Sequence, residues 1–89
     1  MKTIWKYKIP LEDKFSLELP KDAVILTVQI QQGVPQLWVM VNTENEVEKR
    51  YFWLQGTGQE IYETDRVMKY INTFQLYGSA LILHLFEVK

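Results

Sequence analysis

The chain has 89 residues, with ten basic and eleven acidic side chains that give a net charge of −1, and it contains no cysteine. The length fits one domain spanning residues 1–89; the lack of cysteine excludes disulfides and thiolate metal sites, and the balanced charge argues against a nucleic-acid-binding protein. The sequence shows neither the ~20-residue apolar stretch of a membrane helix nor the apolar core of a signal peptide, so we expect a soluble cytoplasmic protein.

Alternation of apolar and polar residues with a period of two predicts four β-strands in the first half of the chain, at 3–9, 14–19, 24–31 and 36–42. Pro10 ends the first strand, because proline cannot donate to a β-ladder. Gly33 supplies the positive φ that a tight turn needs, so the third and fourth strands form a hairpin around residues 32–35. In the third strand, strict alternation places one apolar set on one face (Val24, Leu26, Val28 and Ile30) and a mixed set on the other (Ile25, Thr27, Gln29 and Gln31).

Three more strands are predicted at 47–55, 69–76 and 80–88, the last two forming a hairpin around Tyr77-Gly78-Ser79. Apolar residues on both faces at the end of the fifth strand and along the seventh indicate central strands. Residues 59–68 fit an irregular loop or one helical turn. The sequence therefore predicts an all-β domain, a seven-stranded antiparallel sandwich or partly open barrel with sequence neighbours paired in space. The alternative is an α+β fold with one short helix near 59–68.

No complete catalytic set is visible, so we expect no enzymatic activity and no cofactor. His84 is the only histidine, and its strand position places it on one face with Ile82 and Phe86. We interpret it as a core or interface histidine bonded to a backbone carbonyl, not as a general base. The serines lie on a strand and at a hairpin turn, outside the setting of a catalytic nucleophile.

The glycine-rich and acidic stretches after the fifth strand are interpreted as structural. Gly56-Thr57-Gly58 follows a strand, but Gln59-Glu60 stand where a phosphate-binding loop needs lysine and serine or threonine. Because backbone amides in such a turn can still hold an anion, Thr57 and Gly58 are kept as candidate binding residues. The carboxylates of Glu60, Glu63 and Asp65 do not have the spacing of a calcium loop, so we expect a solvated loop and no metal site.

A binding surface is predicted on the central hairpin, where Trp38 and Met40 would stand beside Gln29 and Gln31 if the mixed faces of both strands coincide. Aromatic residues, methionine and arginine are enriched at recognition surfaces. The surface could be extended by a second group of residues, Arg50, Tyr51 and Trp53. The alternative interpretation of this face is a second packed layer or a seam between two copies of the chain.

The chain resembles a family of short, functionally uncharacterised proteins from bacteriophages and prophages in the segments MKTIWKYKIP, LPKDAVILTVQIQQGVPQLWVMV, FWLQGTGQEI and KYINTFQLYGSALILHLFE. The family pattern before the last hairpin reads Tyr-Ile-Gly-Thr, whereas this chain has Asn72 in place of the glycine. Asparagine tolerates the left-handed backbone region better than most residues, so the backbone could survive the change. If the glycine makes room for a ligand, the change would instead remove that ligand's space.

The resemblance implies a phage origin and a compact β-rich domain, and it implies no activity. We therefore expect a non-enzymatic phage accessory protein in the host cytoplasm that binds a host factor or a small ligand, and that is a homo-oligomer. One form of this function is antagonism of host defence, either by inhibiting an enzyme or by sequestering a nucleotide signal. Nucleic acid and membranes are not expected partners. The alternative is a structural, decoration or assembly component of the phage particle.

Overall fold

A computed structural model of the chain describes residues 1–62 and 65–89. It contains seven β-strands: β1 Lys2–Lys8, β2 Lys14–Pro20, β3 Val24–Gln31, β4 Val34–Asn42, β5 Val47–Gly56, β6 Met68–Leu76 and β7 Leu81–Val88. The all-β prediction is therefore confirmed. The alternative with a helix near 59–68 is wrong for the described residues, because 59–62 and 65–67 are irregular. Glu63, one of the three predicted loop carboxylates, lies outside the described residues.

The strands form two antiparallel sheets that pack face to face as an open sandwich. The three-stranded sheet has the order β1-β4-β3, and the four-stranded sheet has the order β2-β5-β7-β6. Only β3–β4 and β6–β7 are pairs of sequence neighbours, so the predicted neighbour pairing is wrong for the rest. The reason is that the chain crosses between sheets after β1, β2 and β4, and that β7 lies between β5 and β6. β5 and β7 are central strands, as their two apolar faces predicted.

The core lies between the inner faces of the two sheets. From the three-stranded sheet, β4 contributes Leu37, Val39 and Val41, each at most 1% exposed. The four-stranded sheet contributes Phe52 and Leu85, which are fully buried. Because these residues alternate along their strands, the side chains between them must point outward, away from the core.

The hairpin between β3 and β4 is tighter than predicted. Gln32 and Gly33 both have positive φ, 51° and 77°, which is the geometry of a two-residue turn that matches the twist of the strands. β4 therefore begins at Val34 and includes Pro35, two residues before the predicted start.

A β-bulge corrects the predicted faces of β3. Its register with β4 shifts between Ile25 and Thr27, which makes Leu26 the extra residue. Beyond the bulge, Val28 faces the core as predicted. Before it the alternation is inverted, because Ile25 packs against the core while Val24 is 49% exposed.

Asn72 ties the two sheets together where β3 lies beside β6. The Asn72 Oδ1 accepts a hydrogen bond from the Val28 backbone N–H at 2.8 Å, and its Nδ2 donates to the Val28 carbonyl at 3.0 Å. The side-chain amide thus binds the backbone of β3 as a neighbouring strand would. Asn72 is not among the residues with positive φ. Its role is therefore a side-chain contact, and the left-handed backbone considered from the sequence is wrong.

Candidate functional site

The outward side chains of the three-stranded sheet form one surface, which we call the tryptophan face after Trp38. Its position follows from β4, where Leu37 and Val39 are fully buried and the intervening side chains must point away from the core. The strand register extends it over all three strands. The tryptophan face consists of Lys2, Ile4, Lys6, Lys8, Val24, Leu26, Thr27, Gln29, Gln31, Val34, Gln36, Trp38, Met40 and Asn42.

An exposed apolar row crosses the tryptophan face. Met40 on β4 lies directly opposite Ile4 on β1 and Val24 on β3. The three side chains are 37%, 56% and 49% exposed in that order, and the neighbouring Leu26 is 45% exposed. Ile4, Met40 and Val24 are thus adjacent across three strands, and exposed apolar side chains that adjoin in this way mark interaction surfaces in soluble proteins.

Polar residues surround the next row, around Trp38. The Lys6 ammonium lies 5.8 Å from the centre of the Trp38 ring and donates a hydrogen bond to Gln31 Oε1. Gln29 Nε2 donates to Thr27 Oγ1 at 3.1 Å. The structure therefore brings together all four residues predicted on the central hairpin, Gln29, Gln31, Trp38 and Met40.

The charge of this sheet has one sign. The sequences of β1, β3 and β4 contain no aspartate and no glutamate, and their only charged residues are Lys2, Lys6 and Lys8. All three lysines point outward, because they pair with outward residues of β4. The rest of the chain carries seven basic and eleven acidic residues. The tryptophan face is therefore basic, although the net charge of the whole chain is close to zero.

The predicted extension of this surface through Arg50, Tyr51 and Trp53 is wrong. All three lie on β5, in the other sheet, and Tyr51 and Trp53 point to its outer face. Arg50 points inward to Glu87, whose side chain is 5% exposed. The reason is that β5 pairs with β2 and β7, and no strand of the first sheet lies beside it.

Arg50 has a structural role. Its Nε and Nη2 donate to the two carboxylate oxygens of Glu87, and its Nη1 donates to the Ala23 carbonyl at 2.7 Å. The hydrogen bond to Glu87 raises the pKa of Arg50 above its usual value. The guanidinium thus joins β5 and β7 to the residue that precedes β3. Glu87 could not be identified from local sequence patterns, because its partner lies 37 residues away.

A groove lies on the outer face of the four-stranded sheet, with a volume of about 470 Å³. Its floor is Trp53, and the Lys14 ammonium lies 4.6 Å from the ring centre. Two chain segments line it as walls: Asp13, which precedes β2, and Gln59, Glu60 and Tyr62, which follow β5. Lys14, Asp13 and the loop wall were not predicted, because their approach to Trp53 depends on the pairing of β2 with β5.

His84 lies on the same outer face and is held by hydroxyl groups. Its Nε2 is 2.7 Å from Thr57 Oγ1, and its Nδ1 is 2.8 Å from Thr73 Oγ1, which in turn lies 2.7 Å from the Tyr70 hydroxyl. The expected backbone carbonyl partner is therefore wrong. In the described part of the chain, no carboxylate bonds this ring, although a carboxylate orients the histidine of Ser-His-Asp sites.

The glycine turn uses its amides internally. The Gly56 N–H donates to Gln59 Oε1 at 2.9 Å, and the Thr57 N–H donates to the Ile82 carbonyl at 3.4 Å. These two amides are therefore occupied, which is against the anion nest considered for Thr57 and Gly58. Gly58 itself is exposed and has a φ of 84°.

Residues 1–62 and 65–89 were compared with the requirements of a metal site and of a membrane helix, and they meet neither. They contain no cluster of three or more histidine, aspartate or glutamate residues that could hold a metal ion. Within the same ranges, no helix is long and apolar enough to span a membrane.

The chain belongs to the family described as Domain of unknown function (DUF7352), which matches residues 1–89. Neither a curated protein nor a solved structure matches the chain. The family description states no activity and no phage source, so the phage origin stays a prediction.

Proposed function

We propose that this member of the DUF7352 family is a non-enzymatic binding protein that docks an acidic protein partner on its tryptophan face. The observation that supports this most is the exposed row of Ile4, Met40 and Val24 beside Trp38, on a sheet whose only charged residues are lysines. An aromatic residue and a methionine in an apolar patch with a polar rim are typical of protein interfaces.

The charge of the tryptophan face selects the partner. A symmetric contact between two copies through this face would oppose Lys2, Lys6 and Lys8 to the same residues of the second copy, and like charges across an interface cost several kcal/mol. An acidic surface would instead be attracted. The homo-oligomer expected from the sequence would therefore use another surface, such as the outer face of the four-stranded sheet.

A protein partner fits better than a nucleic acid or a nucleotide. Three lysines and no arginine give few phosphate contacts, and counterion release makes affinity for nucleic acid depend on their number. The apolar row would gain little from a phosphate backbone, whereas it would be desolvated against a protein. In the phage setting implied by the sequence resemblance, the partner would be a host factor such as a defence enzyme.

The test is capture of partners from host lysate with the intact chain, followed by a measured affinity for the purified partner. Trp38→Ala should weaken the complex by about 1–3 kcal/mol, which is about 5- to 150-fold in Kd. Lys6→Glu should weaken it as well, and added salt should reduce the affinity of the unmodified protein. The matched control is Trp53→Ala, because Trp53 lies on the outer face of the opposite sheet.

Four results would contradict this proposal. One is a partner whose binding is unaffected by Trp38→Ala, and another is a partner lost equally with Trp53→Ala. A nucleotide released from the denatured protein and identified by mass spectrometry would favour signal sequestration instead. Finding the protein in purified phage particles would favour the structural alternative.

A further inference from the structure

The groove over Trp53 lies on the opposite side of the sandwich from the tryptophan face and is independent of it. Its volume of about 470 Å³ falls within the range of small-molecule sites, about 300–1,000 Å³. Trp53 is half-buried at its floor and presents the face of its ring to the Lys14 ammonium. The exposed ring of Tyr62 lines the groove as well.

Both walls of the groove are fixed to β5 by hydrogen bonds. The Asp13 carbonyl accepts from the Leu54 N–H at 2.8 Å, which holds the wall that precedes β2. On the other side, Gln55 Nε2 donates to the carbonyls of Gln59 and Glu60 at 2.9 and 3.1 Å. The groove is therefore shaped by the strand that carries Trp53, and it does not depend on a ligand to form.

The charges that line the groove favour a cation. Two of the lining residues are acidic, Asp13 and Glu60, and one is basic, Lys14. Lys14 itself occupies the aromatic floor, at 4.6 Å from the ring centre of Trp53. Tryptophan is the best of the aromatic residues at attracting a cation to its ring face. The chain thus places one of its own cations where a bound cation would gain most.

We propose that this groove binds a small organic cation of the quaternary ammonium type, which displaces the Lys14 ammonium from the face of Trp53. The methyl groups of such a cation would contact the rings of Trp53 and Tyr62, and its charge would be balanced by Asp13 and Glu60. A compact, strongly hydrated ammonium such as that of lysine is a weaker occupant than a methylated one, because it gives up more hydration on the ring. Lys14 is therefore an intramolecular competitor for the site.

Isothermal titration calorimetry of the full chain with choline tests this proposal. The neutral isostere 3,3-dimethylbutan-1-ol, which has the same shape without the charge, serves as the ligand control. Choline should bind, and the alcohol should bind at least about 10-fold more weakly. This difference is expected when the ring attracts the positive charge of the ligand in addition to contacting its apolar surface. Lys14→Gln should tighten choline binding by about 2- to 5-fold, because it removes the competitor. Lys2→Gln on the opposite sheet should leave it unchanged.

The opposite expected effects of two variants make this test decisive without a substitution of Trp53 itself. Glu60→Gln should weaken choline binding while Lys14→Gln strengthens it, and general damage to the fold would lower both. Equal binding of choline and the neutral alcohol would overturn the proposal. Weaker choline binding by Lys14→Gln would overturn it too, as would binding of inorganic phosphate in the groove without binding of choline.

Discussion

Removing the Asn72 side chain should destabilise the fold far more than its position on an edge strand indicates. Asn72→Ala deletes two hydrogen bonds to the Val28 backbone, of 2.8 and 3.0 Å; the N–H loses its partner, and the carbonyl keeps only the long bond from the Thr27 hydroxyl at 3.4 Å. Val28 is 1% exposed, so water reaches these groups poorly. A buried backbone group left unpaired costs about 1–3 kcal/mol. We therefore expect a loss of about 2–4 kcal/mol in the free energy of unfolding, measured by urea denaturation.

The matched control is Asn45→Ala, which removes one exposed hydrogen bond, from Asn45 Nδ2 to the Lys21 carbonyl. We expect it to cost less than about 1 kcal/mol. Amide hydrogen exchange gives a local measurement, because the Val28 N–H should lose protection in Asn72→Ala and keep it in the control. Equal stability of the two variants, or unchanged protection of the Val28 amide, would refute the idea that Asn72 joins the two sheets.

Four further outcomes follow from other contacts. Glu87→Gln should lower the free energy of unfolding by about 2 kcal/mol, because it leaves the Arg50 guanidinium half-buried without its carboxylate. The double variant Arg50→Met/Glu87→Leu should recover part of the lost free energy of unfolding, measured by urea denaturation. Burial raises the pKa of Tyr7 above its usual value of 10.0, so the folded state favours the neutral phenol. The free energy of unfolding should therefore fall as the pH rises above about 10. Tyr7→Phe should lose less stability over the same pH range in alkaline denaturation. Gly33→Ala should cost about 1–2 kcal/mol, because φ is 77° there. His84→Ala should retain binding of the acidic partner in the affinity assay, and loss of that binding would contradict the assignment to the tryptophan face.

The fold class was predictable because its signals are local. Gly33 between two β-rich runs requires a turn, and the observed positive φ at this residue is what that turn needs. β7 could be assigned to the centre of a sheet because a strand with two apolar faces must be covered on both. Burial of its Leu85 and Val88 on opposite faces agrees with that reasoning.

The bulge at Leu26 could not be predicted, because the segment VILTV offers an apolar residue in either phase of the alternation. When both phases can fill the core, periodicity does not determine which one does. Packing against β4 decides, and it selects Ile25 over Val24. The local pattern was informative only beyond the bulge, where Val28 and Gln29 differ clearly in polarity.

The candidate site was predictable only within one hairpin. Trp38 and Gln29 could be placed on a common face because β3 and β4 are joined by a short turn. Tyr51 and Trp53 could not be placed relative to them, because that needs the order of strands in both sheets. Contacts such as that between Asn72 and Val28, 44 residues apart, arise only when the sheets meet.

The extra residue in β3 also marks where the length of this chain can change. Deleting Leu26 would join Ile25 to Thr27 and make the strand regular. The side chains on both sides of the deletion would still point to the same faces of the sheet as they do now. A deletion at any other position of β3 that left the bulge in place would turn part of the strand over and expose its core residues. Homologues one residue shorter in this hairpin should therefore align with their gap at residue 26.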